Sequence, residues 1–549
     1  MTPFQADLLM SAADIEKDFW VQDRTHFALP ITPLNASFVV PAHRVGTRTA
    51  MARMKSPVQE FYPKIHDGYY YMVVRMWPGD PEVRQREHEA YLESILPEAW
   101  DRFCRLRDDV LLPLYRELDR RAQEPMSPDS ARDALQWLQG TYETAWAVHF
   151  EMVLPRFGSV GELERLYTRV TGSSDLQDLY RLMHVMNKSA ETDRELSRLA
   201  AQVRESPELF RLFHERPATE LPQALSDHAA GRGFWRQFEA FLAQYGQRTL
   251  NSHDFADPTW TENPVPPLTL IARYADTGYD FDRQWQAVGR EAEALWERIE
   301  RSAQPGPDLE ALRARIAVTR SVWSIDEDHH FYLDAMLPAK TRPLLLGIGR
   351  LLVARDQLAV PDDIFHLYRD EVEEMLADSE VRAHALVRDR REAFVRQRAA
   401  TPPPTLGTPP PDDGSRPDLV QVRVFGAGRM TDGDDKSVLR GFAASAGVYA
   451  GPVRRVAGPE EFDRVQPGDV LVCRTTTPPW TMLFPLVGAI VTDSGGILSH
   501  CATVAREYGI PAVVGTRQAT RLLEDGEKVI VDGGAGTVRR QKVESGVAP

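Results

Sequence analysis

Cysteine is scarce in this sequence. Three residues, Cys104, Cys473 and Cys501, stand among 549. They lie far apart and form neither a CxxC pair nor a zinc-type cluster. A disulfide framework is therefore excluded, and the metal expectation is none. Such usage fits a reducing cytoplasm. Long apolar runs are lacking as well. The stretch around Leu344 to Val353 is short and interrupted, and no segment reaches the ~18 apolar residues of a membrane span. The opening MTPFQADLLMSAADIEKDFW holds acidic residues and no apolar leader core. Basic charge is under-represented: the formal net charge is −15, which argues against a general nucleic-acid binder. A phosphate loop of the GxxxxGK(S/T) kind is absent too. These absences point to a cytoplasmic protein with no nucleic-acid or membrane partner.

Apolar residues make up 43%, enough for large buried cores. One break dominates the chain. Residues 401–417 read TPPPTLGTPPPDDGSRP, and a second polar, glycine-containing stretch, GAGRMTDGDDKS, follows at 426–437. Proline rings exclude a helix there and favour a semi-rigid extended chain. The expected organisation is multidomain: a mainly α-helical body over 1–400, a hinge linker over 401–437 and a small C-terminal β/β/α domain over 438–545. In the body, apolar residues recur at three- and four-residue spacing, as in DALQWLQGTYETAWAVHFEMVL. SFVVPA and GYYYMVVRMW read instead as strands. The Arg-rich run at 382–398 reads as a solvated helix face. In the C-terminal part, AGVYAGPVRRV, DVLVCRT, GAIVTD, AVVG and KVIVDGGAGTVRR read as strands. One helix, SHCATVAREYG, lies among them and stops at Gly509 with Pro511 beyond.

The start of that helix carries chemistry. Gly495 and Gly496 allow close backbone approach to a ligand. Ser499 is a natural N-cap, which puts His500 at the first helical position. The unpaired N–H groups of a helix start form an anion site. An imidazole beside it is a nucleophile whose acquired phosphate meets donors already in place. Taken alone, these local features more often mark an ordinary capping-region histidine without chemistry.

The ordered residues Gly495, Gly496, Ser499, His500, Ala505, Arg506, Gly509, Ile510, Pro511, Ala512, Val513, Val514 and Gly515 strongly resemble the swivelling phosphohistidine domain of phosphoenolpyruvate-utilising enzymes. RTTTPPWTMLFP (474–485) resembles that family's Thr-x-Pro-x-Trp segment. FWVQDRTHFALPITPLNAS (19–37), FLAQYGQRTLNSHDFADPTWTENP (241–264) and DDIFHLYRDEV (362–372) are more loosely similar to the acceptor-binding region of rifampicin-phosphotransferase-like proteins. Cys501 departs from the family's alanine or glycine and reads as a packing residue. The resemblance implies a phosphotransferase in which His500 attacks the β-phosphorus of ATP and releases AMP. Water then removes the γ-phosphoryl group, and the phosphohistidine serves an acceptor hydroxyl. It implies phosphate contacts from Gly495, Gly496, Ser499 and Arg506, and Mg²⁺ accompanying ATP; Arg248, read on its own chemistry, can meet the phosphoryl group bidentately or form an inter-helix salt bridge. The sequence lacks the family's ATP-grasp domain, so the layout resembles the histidine-and-acceptor subunit of phenylphosphate synthase-type enzymes. The partner expectation is a separate ATP-grasp subunit, and the acceptor expectation is a small hydroxylated, phenolic molecule. A ligase or dehydratase using a phosphorylated intermediate and a non-catalytic phosphohistidine carrier stay open.

An acceptor hydroxyl needs a base within reach. WSIDEDHHFYLD (323–334) supplies candidates: Asp326 and His330 are four apart and share a helix face, so Asp326 can orient His330. His329 lies about 100° around a regular helix, which predicts that the two histidines do not face one site. A polar helix end with one buried histidine is the competing reading. His26, beside Asp23, and Asp254, near His253, are candidate substrate contacts. Each also reads as structural, as does Arg248. His149 reads as a core histidine. Tyr69, Tyr70, Tyr71 and Trp77 suit either a flat acceptor or a strand core.

Overall fold

A computed structural model describes residues 1–24, 26–249, 251, 253–409 and 437–541. Its packing resolves into two compact units, each assembled from three separate stretches. The first comprises Met1–Ser159, Gln247–Thr259 and Asp328–Asp413; the second comprises Val160–Gly246, Trp260–Glu327 and Gly414–Pro549. The expected body is thus shared between them.

In the first unit, β1 (Trp20–Gln22), β2 (Val58–His66), β3 (Tyr69–Met76) and β4 (Thr405–Leu406) form an antiparallel sheet in the order β2-β3-β1-β4. Asp67 and Gly68, at φ 49° and 81°, turn the β2–β3 hairpin; left-handed residues match the twist of two strands so closely joined. Trp20, Tyr69 and Tyr71 form a buried cluster on this sheet, while Tyr70 stacks on Phe27 with ring centroids 4.3 Å apart. The tyrosines are core residues. β4 lies inside the expected linker. Tyr71 donates to the Pro403 carbonyl at 2.6 Å and Gln22 N–H to that of Pro404 at 3.0 Å, so the proline-rich segment begins as an edge strand. The rest of that linker, 410–436, lies outside the described residues.

SFVVPA is not a strand. It belongs to the helix Pro33–Arg53, where Leu34 to Val40 are all buried. A helix buried all round has no polar face to reveal its period, and its β-branched run imitates a strand. Pro33 occupies the first turn, where no donor is missed. Gly46 lets this helix touch the long helix Pro128–Thr171, since a Cβ there would sit 2.7 Å from the Trp146 backbone. The Arg-rich run forms the helix His384–Ala399 and is solvated, with Val387 its buried residue.

The second unit joins helices that include Lys188–Glu205, Val265–Thr277 and Phe281–Ser302 to an eight-stranded sheet. Its strands are β5 (Val438–Arg440), β6 (Phe442–Ser445), β7 (Val448–Val456), β8 (Val470–Cys473), β9 (Ala489–Thr492), β10 (Ala512–Val514), β11 (Lys528–Asp532) and β12 (Thr537–Arg540). Their order is β5-β12-β11-β7-β8-β9-β10-β6. The run β7-β8-β9-β10 is parallel and the remaining pairs are antiparallel. β8 and β9 are buried at every position, as parallel strands covered on both faces must be. Among the described residues no helix is long and apolar enough to cross a membrane.

Candidate active site

The helix His500–Glu507 follows β9 through a turn in which Gly495 has φ 105°. Ser499 is extended and its hydroxyl accepts from the Ala502 N–H, making it the N-cap and His500 the first helical residue. Gly509, at φ 65°, ends the helix, and Ile510 N–H returns to the Ala505 carbonyl. His500 is buried. Its Nδ1 lies 2.7 Å from Oε1 of Glu327, and its Nε2 lies 3.2 Å from the Thr481 hydroxyl. Ser189 donates to the other Glu327 oxygen at 2.8 Å. With both carboxylate oxygens accepting, Glu327 favours the tautomer that carries its proton on Nδ1, which leaves Nε2 to accept from the Thr481 hydroxyl.

Further buried polar contacts pin the same helix to the helical part of the second unit. Tyr274, Tyr279 and Tyr508 all donate to the Asp193 carboxylate, at 2.5, 2.7 and 2.9 Å. Burial raises the pKa of all three phenols, so they remain donors. Asn187 donates to Glu507 at 2.8 Å. Burial, and then nearby Glu327, push the Glu507 carboxyl well above the usual range, which makes it a neutral acceptor. Burial likewise pushes the Cys501 thiol up to about 12, in keeping with a packing residue.

The expected phosphate contacts fall in both units. Gly495 and Ser499 sit at the helix start beside His500. Arg506 lies in its last turn, donates to the Ala444 carbonyl at 2.8 Å and stacks over Tyr180. Six residues are roughly 9 Å along the axis and about 240° around it, so Arg506 faces away from the imidazole of His500. Arg248 belongs to the first unit, where it is buried with its guanidinium 5.5 Å from the Phe331 ring centre.

In the first unit the histidines converge on Asp334, a residue the sequence reading passed over. His330 Nδ1 is 2.5 Å from its Oδ2, and His253 Nε2 is 3.4 Å from the same atom. His149 Nδ1 is 3.4 Å from Oδ1, and His329 Nε2 is 3.9 Å from Oδ2. Burial would raise the Asp334 pKa, but His253 and His149 outweigh it and hold the carboxyl well below its usual range. One expectation is corrected here: His329 and His330 do face one place, with ring centres 4.1 Å apart, at the π-helical turn His330–Ala335, which widens the helix locally and breaks the regular 100° step. Asp334 holds His330 across the i, i+4 spacing of one helix face. Asp326 is buried in the helix Ile325–His329.

His26 joins the edge of this group. Its Nδ1 is 3.0 Å from Asp23, and its ring centre is 5.8 Å from that of His253. Burial opposes its charge, yet Asp23 and Asp334 prevail and raise its pKa. Asp254 is a structural anchor. Its carboxylate accepts from Thr32 N–H at 2.7 Å, the Thr32 hydroxyl at 3.0 Å and Ala256 N–H at 2.9 Å, fixing the start of the Pro33–Arg53 helix. His149 is buried as expected, but beside Asp334 rather than in a purely apolar core.

Comparison with known proteins agrees with the architecture of the second unit. Residues 465–536 match the family described as PEP-utilising enzyme, mobile domain, and residues 148–327 match the rifampicin phosphotransferase fourth domain. The C-terminal domain is thus similar to the mobile domain of phosphoenolpyruvate-utilising enzymes. Among individual relatives, the uncharacterised phosphotransferase YvkC of Bacillus subtilis is 36% identical over 95% of this chain and 62% of its own length. A rifampicin phosphotransferase of Streptomyces is 32% identical over 67% of this chain and 41% of its own length. Chondramide synthase cmdD of Chondromyces crocatus is 28% identical over 98% of this chain and 14% of its own length. The chain therefore spans less than two thirds of each of these relatives.

Proposed function

We propose that this chain carries a phosphoryl group on Nε2 of His500 and delivers it to the hydroxyl of a small molecule held by the first unit. The observation that carries the reading is the 2.7 Å contact between His500 Nδ1 and Glu327 at the start of a capped helix. It presents one defined nitrogen as the nucleophile, next to a ready anion site. Loading uses ATP with Mg²⁺ on a separate ATP-grasp subunit, and no residue of this chain is assigned to the metal of that step. In delivery, the acceptor oxygen bonds to phosphorus as the P–Nε2 bond breaks. The hydroxyl proton passes to His330, whose Nδ1 is held by Asp334 and whose Nε2 is the basic atom. Two relatives are phosphotransferases by name, one of them acting on rifampicin. The sequence resemblance to phenol-phosphorylating enzymes makes a phenolic hydroxyl the acceptor to try first.

The test combines the full chain, an ATP-grasp partner, [β-³²P]ATP and a panel of phenols and alcohols. Acid-labile label is expected on the wild-type protein and absent from His500→Ala, with transfer to at least one acceptor. Label retained by His500→Ala overturns the assignment. Label that reaches His500 and no small molecule favours a carrier. A labelled acceptor consumed in a later bond-forming step indicates a ligase or dehydratase.

A further inference from the structure

The group around Asp334 has a feature that acid–base chemistry leaves unused. His149 Nδ1 and Asp334 Oδ1 are buried, 3.4 Å apart, and neither makes a hydrogen bond. His149, His329 and Asp334 are at most 6% exposed as side chains, and one ligating atom from each lies within 4.8 Å of the other two. Contacts of 3.4 and 3.9 Å are long for hydrogen bonds. The 3.4 Å between His149 Nδ1 and Oδ1 is the separation of two atoms that share one ion: two ligands each about 2.1 Å from a tetrahedral metal lie roughly 3.4 Å apart. The second Asp334 oxygen is held by His330 at 2.5 Å, the outer hydrogen bond that commonly orients a ligating carboxylate.

We infer that His149 Nδ1, His329 Nε2 and the Asp334 carboxylate form a binding site for a divalent first-row transition ion, with Zn²⁺ the best match. Imidazole nitrogen with one carboxylate is a donor set that Zn²⁺, Co²⁺, Mn²⁺ and Fe²⁺ accept, and it is too poor in oxygen for Ca²⁺. The ligands come from two places, the long helix Pro128–Thr171 and the segment at the π-helical turn. A regular α-helix would point His329 and Asp334, five residues apart, about 140° away from each other. The π turn brings both to one side, so the irregularity that defeats the sequence pattern is what assembles the donor set. Three protein ligands leave at least one position for an exogenous oxygen, as in catalytic rather than structural sites. Under the acceptor reading above, on which this consequence alone rests, that oxygen is the acceptor hydroxyl, whose proton a bound dication makes easier to remove.

The site is tested without phosphoryl chemistry, so its failure and the failure of the proposed function are separate results. Full-length protein is treated with chelator, dialysed and titrated with Co²⁺ alone. Ligand-field absorption in the visible region is expected, saturating at one equivalent. It should be lost in the His149→Gln/His329→Gln double variant and kept in His384→Gln, a surface control. A wild-type protein without such bands, or a folded double variant that keeps them, overturns the site. Should the double variant not fold by circular dichroism, X-ray absorption on the Zn²⁺-loaded wild type decides. Imidazole scattering with about two nitrogen-ring ligands supports the assignment, and a purely oxygen shell overturns it.

Discussion

Glu327→Gln changes one oxygen to an amide nitrogen at the Nδ1 side of His500 and alters almost no volume. The wild-type carboxylate accepts from His500 at 2.7 Å and from Ser189 at 2.8 Å. A hydrogen bond to a charged group contributes about 1.5–3 kcal/mol, which is roughly 10- to 150-fold in the rate of a step that develops positive charge on the ring. The amide can also turn its NH₂ toward Nδ1, which moves the ring proton to Nε2 and removes the nucleophile. Both effects slow phosphorylation of His500 and leave the fold intact. Rapid-quench measurement of acid-labile label should show loading slowed by at least about tenfold, with thermal stability nearly unchanged. ³¹P NMR of the wild-type phosphoprotein should place the phosphoryl group on Nε2. A loading rate within twofold of wild type, or phosphate on Nδ1, would refute the role given to Glu327.

Three further outcomes follow from the geometry. Asp193→Ala removes the acceptor of three tyrosine hydroxyls, those of buried Tyr274 and Tyr508 and of half-buried Tyr279, and should destabilise the second unit by on the order of 3–5 kcal/mol, read as a lower urea midpoint; a change under about 1 kcal/mol contradicts the three-donor arrangement. Gly46→Ala drives a Cβ against the Trp146 backbone at 2.7 Å and should cost about 1–3 kcal/mol by overpacking, visible in thermal melts of a protein that still folds. His43 is packed among Tyr70, Trp146 and Phe150, and burial lowers its pKa to about 3. Its unfolded form gains a proton below about 6.5 while the folded form does not, so stability is full above that pH and falls as pH drops, by about 2 kcal/mol at pH 5. Urea melts between pH 7 and 4.5 should show that slope in the wild type and a shallower one in His43→Gln.

The C-terminal domain was readable because its cues are local. Strands bounded by Gly, Asp and Pro, a Ser cap and a Gly stop each depend on a few neighbouring residues, and His500 stands where they place it. The first unit was less readable wherever the outcome depended on packing. Leu34 to Val40 look like a strand because every side is buried. The pairing of His329 with His330 was missed because nothing in DEDHHFYLD announces a π turn. Glu327 lay inside the flagged segment, but its partner is 173 residues away, a distance no spacing rule bridges. Asp254 carried the polarity of a binding residue and turned out to anchor a helix, since a buried carboxylate must accept hydrogen bonds whatever its purpose.

The interleaving of the two units has a consequence for synthesis. Trp20 in β1 pairs with Leu406 in β4, so the sheet of the first unit gains its last strand only when about 385 further residues have been made. At ~5–20 residues per second, that is roughly 20–80 s after β1 leaves the ribosome. Neither unit is a continuous piece of chain, and a ribosome-bound fragment ending near residue 330 still lacks part of both. Such a nascent chain exposes the flank of β1 and the unfinished surroundings of His149 for most of its production, the condition in which chaperone holding matters most.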